Sequence, residues 1–159
     1  MQPTTSHKPK PFTIRSNSGL LGLVISDLIV QSPDSLSLLP IKAIWDTGAD
    51  RTIITKNVVK KLLLSAKGTA KIHTVNGYVE RQIYRLNLGL PNKVGIENTI
   101  VCDVEVLSYG CDALIGMDII TLGDFSITNF KGNTCMSFRM PSSHEIDYEK
   151  NPNYGMMVN

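Results

Sequence analysis

The sequence has no long apolar run and no excess of one charge, and these absences exclude several classes of protein. No apolar run reaches the ~18 residues of a membrane-spanning helix. The longest candidate, Leu20–Val30, is interrupted by Gly22, Ser26 and Asp27. Sixteen Lys and Arg stand against fourteen Asp and Glu, which is not the basic excess typical of nucleic-acid binders. We therefore expect a soluble protein that binds neither nucleic acid nor a membrane.

The motifs of several enzyme classes are also missing. Neither the phosphate-binding pattern GxxxxGK[ST] nor the serine-nucleophile pattern GxSxG occurs. The three histidines are scattered along the chain and have no metal-ligand spacing. The sequence therefore predicts no metal site and no cofactor.

The cysteines and the N-terminus indicate a reducing compartment. Cys102, Cys111 and Cys135 are odd in number and form no CxxC pair, so a disulfide framework or a zinc site is disfavoured. We expect reduced thiols. Residues 1–5 lack a charged segment followed by an apolar core, as a secretion signal requires. The expected location is cytoplasmic.

Composition along the chain predicts one domain between two polar arms. The 159 residues suit a single domain, and 42% of them are hydrophobic, which supplies a core. Residues 1–11 hold three prolines among polar residues and are predicted as a flexible arm. Residues 12–140 form the predicted domain, and residues 141–159 form a polar tail.

Within the domain, most segments are typical of strands. Branched and alternating apolar residues predict strands at 20–30, 38–45, 52–54, 69–75, 78–90, 98–107, 113–115, 125–129 and 134–140. Two short helices are predicted, at about 56–64 and 117–122. Many short strands with one or two short helices predict an all-β fold, a mainly antiparallel closed barrel.

One hairpin has a strong local signal. Asn76-Gly77 separates two strand-like segments, and this dipeptide favours a tight type I′ turn. Beyond it, Tyr84, Leu86, Leu88 and Leu90 alternate with other residues, which predicts one buried face.

The segment Asp46-Thr47-Gly48 is the candidate for chemistry. It places an acid directly after the apolar strand that ends in Trp45, and Gly48 leaves room for backbone amides to turn towards the carboxylate. Taken alone, Asp46 could be a simple turn acid, and Trp45 suits a core position. One carboxylate cannot readily both activate a water and protonate an amide, whereas two that share a proton can. Because the motif occurs once, a pair requires a second chain related by a twofold axis.

Residues 18–140 resemble the retropepsin-like aspartic proteases. The resemblance depends on Asp46-Thr47-Gly48-Ala49-Asp50 after an apolar lead-in, on the Asn76-Gly77 hairpin, and on Ala113-Leu114-Ile115-Gly116-Met117-Asp118. The segment from Leu114 to Phe125 is especially similar to free-standing bacterial members. The initial Met and the long tails likewise suggest a stand-alone gene product rather than a polyprotein segment.

The resemblance implies roles for individual residues. Asp46 would be the catalytic acid, Thr47 would join a hydroxyl network across the dimer, and Gly48 would contact the substrate backbone. Asp50 would hold that backbone at the cleft edge, although a turn-capping role is an equal alternative. The remaining implied substrate-binding residues line side-chain pockets, the pocket rim or a flap: Ile44, Ala49, Arg51, Ile53, Leu114, Ile115, Val75, Asn76, Gly77 and Tyr78.

The resemblance therefore implies a homodimeric aspartic endopeptidase that hydrolyses a peptide or protein substrate without a metal. One departure is Met117, which stands where retroviral members commonly have an Arg that pairs with the acid matching Asp50. Arg51, Arg15 or an arm residue could replace that partner. This departure keeps open a catalytically silent dimeric peptide-binding module of the same fold. A structural dimerisation module is a third alternative.

Overall fold

The structure is a computed structural model and is mostly β. It describes residues 8–74 and 77–151, without the side chains of His73 and Thr74. Its described strands are β1 (Lys10–Arg15), β2 (Val24–Gln31), β3 (Leu38–Trp45), β4 (Ile53–Thr55), β5 (Gly68–Thr74), β6 (Gly77–Gly89), β7 (Gly95–Val104), β8 (Ala113–Ile115), β9 (Asp124–Thr128) and β10 (Cys135–Met140). The helices are α1 (Lys56–Lys61) and α2 (Met117–Ile120), and a single 3-10 turn spans Phe130–Gly132. The predicted mainly antiparallel β fold with two short helices is confirmed.

In the larger sheet, the first strand also pairs with the sixth. Its order is β2-β3-β8-β4-β7-β6-β5, and β2 also pairs with β6, with Ile29 opposite Gly89. Six strands thus form a ring of pairings, in which each strand pairs with a neighbour on both sides. Strand β5 lies outside this ring and pairs with β6. The β3–β8 and β4–β7 pairs are parallel, while the other pairs are antiparallel.

The core lies inside this ring because alternate residues of each strand point inward. In β2, Val24, Leu28 and Val30 are buried, whereas Asp27 and Ile29 are exposed. The four residues whose alternation predicted a buried face in β6 and just beyond it are all buried: Tyr84, Leu86, Leu88 and Leu90. Within the described residues, no helix is long and apolar enough to cross a membrane.

A second sheet, in the order β1-β10-β9, packs on Trp45. The Trp45 ring lies 5.7 Å from the Phe12 ring, 5.9 Å from the Phe125 ring and 5.1 Å from the Phe138 ring, measured between centroids. The Trp45 Nε1–H donates to Ser26 Oγ at 2.9 Å, so its polar atom is satisfied. Trp45 is therefore a core residue that joins the two sheets.

Two local features differ from the sequence predictions. Strand β1 begins at Lys10, inside the predicted arm, and Pro11 is tolerated because β1 is an edge strand. Gly77 belongs to β6, where it pairs with Thr74 at φ +105°, and is not a central residue of the predicted tight turn. The predicted tip residues Val75 and Asn76 lie outside the described residues.

The junction between β8 and α2 packs tightly against the segment that follows the Asp46 turn. A Cβ atom at Gly116 would lie 2.5 Å from the Arg51 carbonyl carbon and 2.7 Å from its oxygen. The Gly116 N–H donates to Thr52 Oγ1 at 3.1 Å, and Thr52 is fully buried. Only glycine allows this approach, because the obstructing atoms belong to the backbone.

Replacing Gly116 with Ala should therefore destabilise the fold. We expect the free energy of unfolding to fall by at least about 2 kcal/mol, because backbone must move to admit the methyl group. Urea-induced unfolding measures the change. The matched control is Gly95→Ala, since a Cβ at Gly95 meets no atom within 4 Å. Equal stability of the two variants would contradict the packing argument.

One partly buried carboxylate, that of Asp124, connects β9, β10 and the chain beyond β10. Asp124 Oδ2 accepts the Arg139 Nε–H at 2.6 Å and the Ser143 N–H at 2.9 Å, and Asp124 Oδ1 accepts the Ser142 hydroxyl. Burial raises the pKa of the Asp124 carboxyl, but the bonds from Ser142, Ser143 and Arg139 together lower it by more. The pKa therefore lies well below its usual range, and Asp124 stays ionised in mild acid.

The Asp124 contacts give a testable pH dependence. Because the folded-state pKa is depressed, the stabilisation is complete above the unfolded value of about 4 and is lost as the pH falls below it. Asp124→Asn should thus lower the free energy of unfolding by about 1 kcal/mol at both pH 5 and pH 7, and by less near pH 3. Thermal unfolding across this range measures the difference.

The matched control for this series is Asp27→Asn. Asp27 is exposed, and its carboxylate forms no hydrogen bond or ion pair within the described residues, so this substitution removes neither. A wild-type advantage over Asp124→Asn that grows as the pH falls below about 4 would have the wrong sign for an ionised, hydrogen-bonded carboxylate.

Candidate active site

The backbone of Asp46 is fixed by the parallel pairing of β3 with β8. Trp45 lies opposite Ile115, and the next N–H, that of Asp46, donates to the Ile115 carbonyl at 3.0 Å. Burial of Ile44 and Trp45 keeps the end of β3 in place. Asp46 is the first residue beyond the strand, and its side chain is half-buried.

The turn after β3 directs an amide at the carboxylate. The Gly48 N–H donates to Asp46 Oδ1 at 2.8 Å, and the Ala49 N–H reaches the Asp46 carbonyl at 3.3 Å. A Cβ at Gly48 would lie 3.1 Å from Asp46 Oδ1, which is tighter than normal contact. Gly48 therefore allows the amide and the carboxylate to approach, as the sequence pattern suggested.

A hydrogen-bond chain beneath the turn ties the two halves of the motif together. The Met117 N–H donates to the Ala49 carbonyl at 2.8 Å. Thr52 Oγ1 accepts the Gly116 N–H and donates to Asp118 Oδ1 at 2.7 Å. The N-cap residue of α2 is Gly116, not Asp118. Asp118 instead joins α2 to the segment leading into β4.

Asp46 lines two open cavities that share part of their walls. A cavity of about 760 Å³ contains Asp46 and is lined mainly by apolar side chains: Leu23, Ile25, Ile44, Leu107, Tyr109 and Leu114. A second cavity, of about 330 Å³, shares Leu23, Ile44 and Asp46 with the first, and its lining also includes Leu21, Thr47, Phe125 and Ile127. These two adjoining cavities, which both have Asp46 in their wall, are called the groove below.

Of the other residues predicted to bind substrate, some line this groove and others are part of the core. Ile44 and Leu114 line it, whereas Ile115 is fully buried on the inner face of β8 and belongs to the core. Ile53 lies opposite Leu114 in β4 and is half-buried. Ala49 is half-buried and contributes its carbonyl to the Met117 N–H.

Asp50 has no cationic partner within residues 8–74 and 77–151. Both Asp50 and Arg51 are exposed, and neither Arg51 nor Arg15 forms an ion pair with Asp50. Thr47 is exposed, and its hydroxyl makes no hydrogen bond in the described part of the chain. The side chains of Thr47, Asp50 and Arg51 are therefore available for contacts with other molecules.

The hairpin of β5 and β6 holds the predicted flap residues. Gly77 and Tyr78 are the first residues of β6, and Tyr78 is 66% exposed. Val75 and Asn76 lie outside the described residues. The structure thus gives the stem of the hairpin, which pairs from Gly68 opposite Ile83 to Thr74 opposite Gly77.

The Cys102 and Cys111 thiols do not form a competing nucleophilic site. All three cysteines are free, and Cys102 and Cys111 are buried. Burial raises the pKa of both the Cys102 and the Cys111 thiols, which keeps them protonated and unreactive. Among the described residues, no group of three or more His, Cys, Asp and Glu side chains could hold a metal ion.

Sequence reasoning did not name several groove residues. Leu21, Leu23, Tyr109, Phe125 and Ile127 come from loops and strands far apart in the chain. Leu23 lies in the interrupted apolar run at 20–30, and it remains 37% exposed beside the acid. That run was a usable signal, because apolar side chains left in solvent next to a candidate acid indicate a binding surface.

Comparisons with known proteins identify a family and a fold for this chain. The family described as "gag-polyprotein putative aspartyl protease" matches residues 38–121, which is more than half of the chain. The match includes β3, the Asp46 turn, the β5–β6 hairpin, β8 and α2. No curated protein matches this chain in sequence.

Solved structures with the same fold include a retropepsin-like aspartic protease from Rickettsia conorii. It is 18% identical, with a TM-score of 0.52, over 84% of this chain and 96% of the other. The EIAV protease complexed with the inhibitor HBY-793 is 20% identical, with a TM-score of 0.48, over 66% and 91%. The retroviral protease-like domain of Ddi1 from Leishmania major is 16% identical, with a TM-score of 0.43, over 76% and 95%. By the extent of the family match, the chain belongs to the gag-polyprotein putative aspartyl proteases.

Proposed function

We propose that this protein is a homodimeric aspartic endopeptidase whose catalytic dyad consists of Asp46 from each of two copies. The observation that carries the proposal is the position of Asp46 in an apolar groove, with Oδ1 bound by the Gly48 N–H. The groove offers one such acid per chain, and a second copy related by a twofold axis supplies the other.

The proposed reaction is hydrolysis of a peptide bond by an activated water. Two carboxylates about 3 Å apart share one proton, since like charges oppose double ionisation. The ionised Asp46 takes a proton from the water as it attacks the carbonyl carbon, and the protonated Asp46 gives its proton to the carbonyl oxygen. Collapse of the tetrahedral intermediate then breaks the C–N bond, and a dyad proton goes to the leaving nitrogen.

The proposed substrate is an extended peptide lying along the groove. The apolar residues that line the two cavities around Asp46 favour apolar side chains next to the cleaved bond. The β5–β6 hairpin would cover the peptide and exclude water. The exposed, unpaired Asp50 would accept hydrogen bonds from the peptide backbone at the end of the cleft, and the unpaired Thr47 hydroxyl would bond to the second copy.

A peptide-binding dimer without catalytic activity is the second candidate. The observation in its favour is Met117, which leaves Asp50 without an ion-pair partner within the described residues. A carboxylate that is not held by a cation could position a peptide too loosely for hydrolysis. Binding and turnover of one peptide library, measured in parallel, separate the two candidates.

Asp46→Asn should abolish hydrolysis while leaving the fold and the dimer intact. We expect the cleavage rate to fall by at least about a thousandfold, since the amide can neither take nor give the required proton. Mass spectrometry of a diverse peptide library detects the cuts. The control Asp34→Asn removes an exposed acid from the β2–β3 turn and should cleave at the wild-type rate.

The wild-type rate should also follow a bell-shaped curve between about pH 3 and pH 8, because the singly protonated dyad is the active form. A rate that rises steadily across this range would contradict a shared-proton dyad. Equal cutting by wild type and Asp46→Asn would show that another group, or a contaminant, does the chemistry.

A further inference from the structure

Positive charge is concentrated in one segment of the chain. Residues 51–85 hold eight Lys or Arg and a single acid, Glu80, whereas the rest of the chain holds eight Lys or Arg and thirteen acids. The segment runs from the end of the Asp46 turn through β4, α1 and the β5–β6 hairpin. The small net charge of +2 is therefore the sum of a basic region and an acidic remainder.

One group of these cations surrounds a single acid at the start of α1. Lys56 Nζ donates to Glu105 Oε2 at 2.6 Å, and the two side chains are 44% and 75% exposed. The Lys56 hydrogen bond lowers the pKa of the Glu105 carboxyl most, and the charges of Lys60 and Arg81 lower it further. Three cations thus share one carboxylate, and positive charge stays in excess there.

A second group of cations lines a cavity beyond α1. The Lys67 N–H donates to the Ile83 carbonyl at 2.8 Å, which fixes the segment after α1 on β6. Lys67 and Arg85 line a cavity of about 460 Å³. Its other lining residues are mostly polar and include one acid: Ser32, Pro33, Asp34, Leu64, Ser65 and Asn98. A cavity with two cations and several hydroxyl and amide groups is suited to an anionic group.

The strand period connects the two groups of cations. Arg81 and Arg85 are four residues apart in β6, so their side chains leave the same face of the strand. At about 3.3 Å per residue, their Cα atoms are about 13 Å apart. Six residues are called the basic surface below: Lys56, Lys60, Lys61, Lys67, Arg81 and Arg85.

Most of the basic surface has no partner in the fold. Within residues 8–74 and 77–151, five of its side chains form no ion pair and no hydrogen bond, and only Lys56 does. Lys60 and Lys61 suit the C-terminal end of α1, whose carbonyls favour positive charge. That role does not extend to Lys67 and Arg85, which lie beyond the helix. Their charges are therefore available to a ligand.

The basic surface begins where the proposed cleft ends. Asp50, which we propose holds the peptide backbone at the end of the cleft, directly precedes the exposed Arg51. Lys56 follows five residues later, a distance that an extended chain covers in at most about 18 Å. A peptide that leaves the groove therefore needs about five residues to reach Lys56. A twofold dimer presents this surface at both ends of the cleft.

An acidic peptide suits this surface better than a nucleic acid does. Carboxylates four residues apart in an extended peptide have the same spacing as Arg81 and Arg85. Glu80 and Glu105 are exposed among the cations, and they oppose a continuous row of phosphates. Spaced carboxylates on a peptide can pass between these two acids and form charge-assisted hydrogen bonds with Arg and Lys.

We propose that the basic surface binds an acidic segment of the same peptide whose apolar segment occupies the groove. The inference rests on the proposed function, which places the apolar segment beside Asp46. It narrows the substrates to peptides with several Asp or Glu residues about five residues from the cleaved bond. The surface attracts such a peptide by its charge, and Lys67 and Arg85 hold one of its carboxylates in their cavity.

The first test measures binding without cleavage. The probe is a fluorescein-labelled peptide of six glutamates, and fluorescence anisotropy with the full chain at about 50 mM salt gives its Kd. The double variant Lys67→Gln/Arg85→Gln should raise this Kd at least about fivefold, since it removes two ion pairs with the peptide. The matched control Lys42→Gln/Lys93→Gln removes two exposed cations outside residues 51–85 and should leave the Kd unchanged.

Four results of this test would overturn the proposal. The glutamate peptide does not bind, or a peptide of six glutamines binds equally well. The two double variants weaken binding equally. A single-stranded oligonucleotide binds more tightly than the glutamate peptide and depends on the same two residues, which would assign the surface to a nucleic acid.

Peptide cleavage then separates this proposal from the proposed function. Two substrates share one apolar cleavage site and differ only in flanks of four glutamates or four glutamines, five residues from the cleaved bond at each end. For wild type, kcat/KM should be at least about fivefold higher with glutamates, mainly through a lower KM, and Lys67→Gln/Arg85→Gln should remove this preference.

The two proposals fail in different ways. Cleavage of both substrates with equal kcat/KM keeps the protease and removes the site for an acidic segment. A wild type that cleaves neither substrate, but binds the glutamate peptide through Lys67 and Arg85, keeps the acidic-peptide site and removes the protease.

Discussion

The candidate site depends on β8, a strand of three residues with a strand on each side. On one side its Ile115 carbonyl holds the Asp46 N–H. On the other side Leu114 pairs with Ile53, and the following Gly116 donates to the buried Thr52 hydroxyl. Because β8 separates β3 from β4, the chain must leave β3 through the Asp46 turn and cross beyond the end of β8. The position of the acid is therefore a consequence of sheet order.

Trp45 is the second constraint, since it lies in β3 and contacts the small sheet as well as the large one. Three phenylalanine rings surround it, and its N–H is satisfied by Ser26. A large aromatic side chain that is buried and hydrogen-bonded has little freedom to move. Asp46, the next residue, is therefore attached to a backbone that has little freedom to move. An acid that must keep a defined geometry requires this. The small sheet thus supports the site although it supplies no acid to it.

The sequence was informative where local patterns decide the outcome, and silent where distant segments meet. Burial before Asp46 and the small residue Gly48 predicted the strand and the turn without further help. Strand β1 was not predicted, because Pro11 and the polar residues around it are typical of an arm, and only pairing with β10 makes them a strand. Gly77 was assigned to the turn, whereas its pairing with Thr74 is set by the whole hairpin. The groove lining from Phe125 and Ile127 could be found only from the packed fold.

Strand β6 is thirteen residues long, and its two halves have different neighbours. From Gly77 to Ile83 it pairs with β5, and from Ile83 to Gly89 it pairs with β7, while its last three residues also meet β2. Beyond Ile83 the strand pairs with β7 and then also with β2, and these pairings hold it in place. Any closing movement of the hairpin must then bend at the level of Ile83 and its partner Gly68, which has a φ of +147°. The hairpin of β5 and β6 therefore extends from the ring of paired strands, with its base at Gly68 and Ile83.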